Sequence, residues 1–114
     1  PITSLPKGLR VGGDLDLSNT RITSLPEGLK VGGILDLSNT PITSLPEGLE
    51  IGGSLYLNNI FITSLPEGLK VGGYLNLSNT PISKRYKTYG EYAKEKLIED
   101  LKKKGSSVKA SIYL

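Results

Sequence analysis

The chain has 114 residues and a formal net charge of +3, and it contains no Cys, His, Met or Trp. These absences exclude disulfides, thiolate nucleophiles, zinc sites built from Cys and His, and a Ser-His-Asp triad. The length fits one small domain, and no run of about 18 apolar residues is present to span a membrane. We therefore expect no catalytic residues, no cofactor and no metal.

Residues 1–80 consist of four 20-residue repeats without insertion or deletion, at 1–20, 21–40, 41–60 and 61–80. The third repeat reads PITSLPEGLEIGGSLYLNNI. A strict short period predicts one structural unit that stacks on its own copies. The stacked units would share continuous columns of Leu side chains and parallel strand hydrogen bonds.

Within each repeat, Leu-x-Leu predicts a short strand with one buried face, as in Leu15-Asp16-Leu17. The preceding Gly-Gly allows tight or left-handed backbone, and the following Ser-Asn-Thr has the composition of a turn. Ile22, Leu25 and Leu29 should point inward on a return segment that is extended, polyproline II-like or a single 3₁₀ turn.

After residue 82 the composition changes, and a C-terminal cap is predicted over residues 83–114. Thr88 and Glu91 have the spacing of a capping box, and Gly105 can stop a helix. These signals predict a helix over about 89–104, with Ile98 beside an inward face made of Tyr89, Ala93, Leu97 and Leu101.

The last seven residues, VKASIYL at 108–114, match VGGYLNL at 71–77 in their apolar positions. We expect a fifth strand there, entered through the helix as a right-handed β-α-β crossover. A chance match of three apolar residues is the alternative.

The pattern Leu15-x-Leu17-x-x-Thr20-x-Ile22-x-x-Leu25-Pro26 resembles a leucine-rich repeat. The 20-residue period with Leu-Pro is similar to short repeats of secreted bacterial effectors. The sequence LPEGLKVGG is similar to tandem repeats of bacterial and phage proteins. Two departures are that Gly replaces the first consensus Leu and that the buried Asn-ladder position holds Thr20, Thr40, Ile60 and Thr80. A Thr ladder there could bond the neighbouring backbone, which Ile60 cannot do.

The resemblance implies a leucine-rich-repeat solenoid of the α/β class. It would have a short parallel sheet of four or five strands on its concave face, extended or 3₁₀ returns on its convex face, and a C-terminal helical cap followed by a final strand. The first domain region would be the repeats at 1–82.

Leucine-rich repeats usually bind ligands on the concave face, which gives the candidate binding residues. The period places one outward column at Asp16, Asp36, Tyr56, Asn76 and Tyr113, and a second column includes Ile34 and Tyr74. Tyr56, Tyr74 and Tyr113 would form an aromatic patch suited to an interface. Phe61, which stands where other repeats have Pro or Arg, is a candidate edge contact.

These residues predict a protein–protein interaction module of bacterial or phage origin. The alternatives are a structural scaffold or fragment of a larger leucine-rich-repeat protein with no ligand of its own, and a phage or pathogen inhibitor of a host protein. With no signal peptide in view, a cytoplasmic location is expected, and secretion as an effector stays open.

Charge is unevenly distributed: residues 81–114 carry nine basic and four acidic side chains, whereas residues 1–80 carry five and seven. The basic clusters at 84–87 and 102–104 could attract nucleic acid, but expected pairs of Glu99 with Lys103 and of Asp100 with Lys104 favour a solvated helix face.

Because the repeat pattern already includes Pro1, we expect earlier repeats to have been trimmed. The chain would be a monomer, or would associate weakly end to end through the uncapped N-terminal face.

Overall fold

The computed structural model describes residues 5–114, and each repeat in it contributes two strands of two residues. The first strands of the successive turns are β1 Arg10–Val11, β3 Lys30–Val31, β5 Glu50–Ile51, β7 Lys70–Val71 and β9 Ser107–Val108. The second strands are β2 Leu15–Asp16, β4 Leu35–Asp36, β6 Leu55–Tyr56, β8 Leu75–Asn76 and β10 Ile112–Tyr113.

The strands form two five-stranded parallel sheets, ordered β1-β3-β5-β7-β9 and β2-β4-β6-β8-β10. The register advances by one repeat per strand, so that Leu15, Leu35, Leu55 and Leu75 are direct neighbours. The molecule is therefore a parallel β-solenoid, consistent with the leucine-rich-repeat solenoid expected from the sequence. The sequence prediction included only the second sheet, because two residues such as Lys30–Val31 are too few to show an alternating pattern.

The core is a set of aliphatic columns that run through the stacked turns. Ile22, Leu25 and Leu29 are buried as predicted, and Ile60 is only 4% exposed. The side chains at both ends of each Leu-x-Leu segment are buried from the second repeat onward. Toward the N-terminal end the columns are only partly covered, at Leu5, Leu9, Val11 and Leu15.

From the second repeat onward, the Gly-Gly pairs are required by the close approach of neighbouring turns. A Cβ atom on Gly32 would lie 2.4 Å from the carbonyl oxygen of Gly12, and one on Gly52 would lie 2.3 Å from that of Gly32. The left-handed backbone occurs elsewhere, at Gly28 (φ 79°) and at the turn residue Asn39 (φ 58°). The pair therefore serves tight stacking, and the left-handed alternative for it is wrong.

The Thr positions bond within their own repeat, which corrects the expected ladder to the neighbouring backbone. The hydroxyl of Thr40 donates to the carbonyl oxygen of Leu37 at 2.8 Å, and that of Thr80 donates to Leu77 at 2.6 Å. These bonds close the Ser-Asn-Thr turn. In the third repeat Ile60 instead adds apolar contact to the core.

The cap contains α1 Pro81–Lys87, which the sequence did not predict. It also contains a 3₁₀ turn at Gly90–Tyr92 followed by α2 Ala93–Lys103, which together correspond to the helix predicted over about 89–104. Thr80 is the N-cap of α1: its hydroxyl accepts from the Ser83 amide at 3.1 Å, with Pro81 in the first turn. Thr88 is the C-cap of α1, not the N-cap of a following helix. Gly90, with φ 63°, separates the two helices.

The inward face of α2 is Ala93, Leu97 and Leu101, as predicted. Tyr89 precedes this helix and is exposed, which corrects its assignment to the buried face. Its ring lies 6.0 Å from that of Tyr86, the buried aromatic residue of α1.

The fifth turn predicted at the C-terminus is present and begins earlier than the matched segment. Val108 pairs with Val71, and Ile112 pairs with Leu75. Gly105 has the same φ of 70° as Gly68. Because the strands pair in register, a chance match is excluded.

Candidate binding face

The outward side of the second sheet, here called the sheet face, carries the predicted binding residues. Leu-x-Leu turns two side chains inward, so the residue between them must point outward. The parallel register then aligns Asp16 with Asp36, Tyr56, Asn76 and Tyr113. Neighbours in this column are separated by one strand spacing of about 4.8 Å.

Two tyrosines form a contact at the C-terminal part of the sheet face. The rings of Tyr74 and Tyr113 are 5.8 Å apart and inclined by 51°. Their side chains stay 45% and 47% exposed. The ammonium of Lys94, at the start of α2, lies 5.9 Å from the centroid of the Tyr113 ring. Such a pair presents wide apolar surface with polar edges, a composition that favours protein interfaces.

Tyr56 belongs to the same face but makes no aromatic pair within residues 5–114. It is half-buried between its register neighbours Asp36 and Asn76. The sheet face therefore brings together two of the three expected tyrosines, while Tyr56 lies apart from them, beside Asp36.

The N-terminal part of the sheet face is a shallow acidic depression of about 240 Å³. Its lining combines three carboxylates with apolar groups, namely Asp14, Leu15, Asp16, Ile34, Asp36 and Tyr56. The sequence predicted Ile34, Asp16 and Asp36 as outward residues, and the structure shows that they line one depression together with Asp14. The Ile34 side chain is exposed within this lining, where an aliphatic contact from a partner could reach it.

The acidic residues of the central column also hold the backbone of their own turns. One carboxylate oxygen of Asp16 accepts from the Ser18 hydroxyl at 2.6 Å and from the Ser18 amide at 3.0 Å. These bonds lower the pKa of Asp16, the hydroxyl bond having the largest effect. Asp36 and Asn76 bind their following serines in the same way. The second side-chain oxygen of each aspartate remains outside this turn motif.

The second outward column, which contains Ile34 and Tyr74, forms hydrogen bonds between neighbouring turns, and sequence reasoning did not predict these bonds. A carboxylate oxygen of Asp14 accepts from the amide of Ile34 at 2.8 Å. The Ser54 hydroxyl accepts from the amide of Tyr74 at 3.0 Å. The signal was the alternation of polar and apolar residues down this column, which reflects hydrogen bonding from one repeat to the next.

Phe61 lies apart from the tyrosine pair, at the start of the return that follows the turn after β6. Its side chain is 71% exposed, the largest exposed fraction among the large hydrophobic residues of 5–114. It stays a candidate contact at the edge of the molecule.

The first sheet presents a charged column that sequence reasoning missed. Lys30 and Glu50 are register neighbours with an N–O distance of 2.6 Å. The hydrogen bond and the charge of Lys30 lower the pKa of Glu50. The signal in the sequence was one acidic residue, Glu50, in a column otherwise basic at Arg10, Lys30 and Lys70.

The helical cap partly neutralises its own charge. Lys103 lies 3.7 Å from Glu99, as expected. Asp100 is instead 3.7 Å from Lys96 and accepts from the Tyr86 hydroxyl, and the ammonium of Lys104 donates to the Leu65 carbonyl oxygen at 2.7 Å. The expected pair of Asp100 with Lys104 is therefore wrong, and Lys104 ties the cap to the fourth repeat.

Within residues 5–114, no three metal-ligating side chains converge on one point. No helix in that part of the chain is both long enough and apolar enough to cross a bilayer. Comparison of the chain with protein-family models, with curated proteins and with solved structures gave no match.

Proposed function

We propose that the protein is a protein–protein interaction module that binds its partner on the sheet face. The observation that carries this proposal is the contact of Tyr74 with Tyr113, two half-exposed rings, one directly before β8 and the other in the neighbouring strand β10. Tyrosines fixed in this way lose little conformational entropy on binding and are favoured interface anchors.

The rest of the sheet face supports a partner with a defined chemistry. The depression lined by Asp14, Asp16 and Asp36 suits basic side chains, and Ile34 suits an aliphatic one. Charge attraction of this kind mainly raises the association rate and weakens with salt. The partner surface should therefore pair an apolar contact for the tyrosines with Lys or Arg facing the depression.

We further propose that the chain is a leucine-rich-repeat protein, on the support of its Leu-x-Leu period and its parallel solenoid. A bacterial or phage source and a role as inhibitor of a host protein belong to the same proposal. A scaffold with no ligand of its own is the opposing function.

The test captures a partner on immobilised protein, purifies it and measures its affinity by titration calorimetry. The Tyr74→Ala/Tyr113→Ala double variant should weaken binding about 30- to 700-fold, since truncated anchors cost about 1–2 kcal/mol each. Tyr89→Ala is the matched control: this tyrosine has a similar exposure of 46% but lies on the cap against Tyr86.

The proposal predicts that the control binds like the unmodified chain and that raised salt slows association. Equal weakening by both variants would place the partner elsewhere. Failure to capture any partner at high loading would favour the scaffold function.

A further inference from the structure

Successive turns of the described solenoid meet at four junctions, numbered here from the N-terminal side. At the first junction, two backbone hydrogen bonds join the turns where each return enters the first sheet. The Gly8 amide donates to the Glu27 carbonyl oxygen at 2.9 Å, and the Lys30 amide donates to that of Leu9 at 3.2 Å. The same two bonds recur at the third and fourth junctions, with the donor and acceptor pairs Gly48 and Glu67, Lys70 and Leu49, Gly68 and Lys104, and Ser107 and Leu69.

Both bonds are missing at the second junction, between residues 21–40 and 41–60, here called the central junction. In the described chain, the Gly28 amide makes no hydrogen bond to the Glu47 carbonyl oxygen, and the Glu50 amide makes none to that of Leu29. The central junction is therefore bonded differently from its neighbours on both sides.

The return side of the central junction is also wider. The Asn39 amide donates to the Asn58 carbonyl oxygen at 3.4 Å, whereas the equivalent bonds of the first and third junctions are 3.0 Å long. A Cβ atom on Gly28 or Gly68 would lie 3.5 Å from a Cα atom of the preceding turn, while one on Gly48 would have no described atom within 4 Å. The turns of the second and third repeats thus part on this side.

A cleft of about 650 Å³ lies between the two returns that part. It is lined by hydroxyl, carboxylate and apolar groups of both repeats, namely Ser24, Leu25, Glu27, Ser44, Leu45, Pro46 and Glu47. On the sheet side the same two turns stay closely bonded, since the Gly52 amide donates to the Val31 carbonyl oxygen at 2.7 Å and the Leu37 amide to that of Tyr56 at 2.9 Å. The central junction is closed along the sheets and open along the returns.

Side-chain hydrogen bonds to the next turn follow the same division. Asp14 accepts from the Ile34 amide across the first junction at 2.8 Å, and the Ser54 hydroxyl accepts from the Tyr74 amide across the third at 3.0 Å. At the equivalent position of the second repeat stands Ile34, whose side chain has no acceptor. The amide of Ser54 therefore receives no such bond across the central junction.

One charged pair does cross the central junction on the outer surface of the first sheet. Lys30 lies 2.6 Å from Glu50, and both side chains are more than two-fifths exposed. Exposed pairs of this kind add little stability, because water screens the charges and two long side chains must be ordered. This pair therefore does not replace the missing hydrogen bonds.

We propose that the stack opens at the central junction, so that residues 5–40 and 41–114 move as two bodies hinged along the sheets. The stability of stacked repeats is approximately a sum of repeat and nearest-neighbour contributions, so the junction with the fewest bonds separates first. A small opening widens the cleft between the returns. A larger opening also breaks the sheet hydrogen bonds of this junction.

The opening changes the geometry of the sheet face. The depression contributed by Asp14, Asp16 and Asp36 lies mainly on the first body, whereas Tyr74 and Tyr113 lie on the second. Movement about the central junction therefore alters the distance between the acidic depression and the tyrosine pair. This consequence concerns the proposed binding face, but the opening itself is a property of the free chain and is measured without a partner.

The test is amide hydrogen exchange measured by NMR, with intrinsic rates corrected for sequence. Three matched sets of sheet amides report on three junctions, and their hydrogen bonds are all 2.7–3.0 Å long. The sets are Gly32, Leu15 and Leu17 for the first junction, Gly52, Leu35 and Leu37 for the central one, and Gly72, Leu55 and Leu57 for the third.

We expect the central set to exchange about 10-fold faster than the third set, the effect of one to two net hydrogen bonds. The central set should also exchange at least as fast as the first set. A stack that only frays from its N-terminal side gives a different order, in which the central set exchanges more slowly than the first.

Ile34→Ser tests the cause of the weak junction. The new hydroxyl takes the position that Ser54 has in the third repeat, so it should accept from the amide of the next turn and slow exchange of the central set about 3- to 10-fold. Ile34→Ala is the matched control, because it removes the same exposed aliphatic group without adding an acceptor. The third set should exchange alike in both variants.

A central set that exchanges more slowly than the first set, or at the same rate as the third, would overturn the proposal. So would Ile34→Ser and Ile34→Ala variants with the same exchange rates at the central junction. Neither result bears on the proposed partner binding, because the partner is absent from these measurements.

Discussion

Leu15 and Leu55 occupy the same position in the first and third repeats, yet they differ in how many neighbouring turns cover them. Leu55 is fully buried, with Leu35 on one side and Leu75 on the other. Leu15 has a described neighbour on one side only, Leu35, and is half-buried. We predict that Leu55→Ala destabilises the fold far more than Leu15→Ala.

The magnitudes follow from the cost of deleting buried methyl groups. A Leu→Ala change in a closed core costs about 3–5 kcal/mol through lost transfer energy and the cavity that remains. We expect a value in this range at Leu55, because both adjacent turns are held in register and cannot collapse into the space. At Leu15 one wall is missing, so the cost should be about 1–2 kcal/mol.

The measurement is urea unfolding followed by circular dichroism. Both variants should reduce the midpoint. In a stack where each turn contacts only its neighbours, a central defect also weakens the coupling between the two halves. Leu55→Ala is therefore the variant in which a broadened or divided transition should first be seen.

Equal losses of unfolding free energy at the two positions would refute this reasoning. That result would mean that the contribution of each Leu to the free energy of unfolding comes from its own repeat alone, and not from contact with the neighbouring turns.

Two further predictions concern the cap and the turns. Tyr86→Phe removes the hydrogen bond that Asp100 accepts, the largest cause of the lowered pKa of Asp100; we expect a loss of about 1 kcal/mol at pH 7, after discounting for the partly exposed carboxylate. Because the folded pKa of Asp100 is depressed, this contribution is present above about pH 4 and is lost as the pH falls through the folded pKa. The unfolding curves of Tyr86→Phe and the unmodified protein should therefore converge in acid. A constant difference in unfolding free energy down to about pH 2 would contradict the assignment. The pKa of Tyr86 is raised, first by burial and then by Asp100, so its own contribution is complete below about pH 10 and is lost at higher pH. Asn39 has φ 58°, a left-handed conformation that Gly adopts freely and Ala does not. In thermal unfolding, Asn39→Ala should cost about 1 kcal/mol and Asn39→Gly almost nothing. Equal stability of the two variants would show that the left-handed backbone carries no strain.

The fifth turn shows how far the sequence could be interpreted without coordinates. Three apolar positions in residues 108–114 were enough to predict its strand pairing, because a stacked turn must continue the existing columns. The cap helices were predicted less well. The N-cap and Pro of α1 at Thr80-Pro81 lie within the repeat wording, where they look like one more copy of Thr40-Pro41.

Because aromatic residues are scarce, the outward tyrosines were the candidates for an interface patch, and the structure shows which of them are in contact. The sequence placed Tyr56, Tyr74 and Tyr113 in outward columns but could not say which rings touch. Contact between Tyr74 and Tyr113 depends on the cap returning to the sheet after two helices, a geometry that no local pattern encodes.

The sequence by itself determined the repeat unit, the buried columns and the outward columns, because each position meets the same environment every 20 residues. The tertiary structure alone decided which side chains meet between turns. It added a second sheet, the Lys30–Glu50 pair, the bonds from Asp14 and Ser54 to the next turn, and the reason for Gly-Gly. These features depend on distances across stacked turns, so they exist only once the chain has closed on its own copies. The initial charge of +3 is likewise divided in space, between an acidic depression on the sheet face and a basic helical cap.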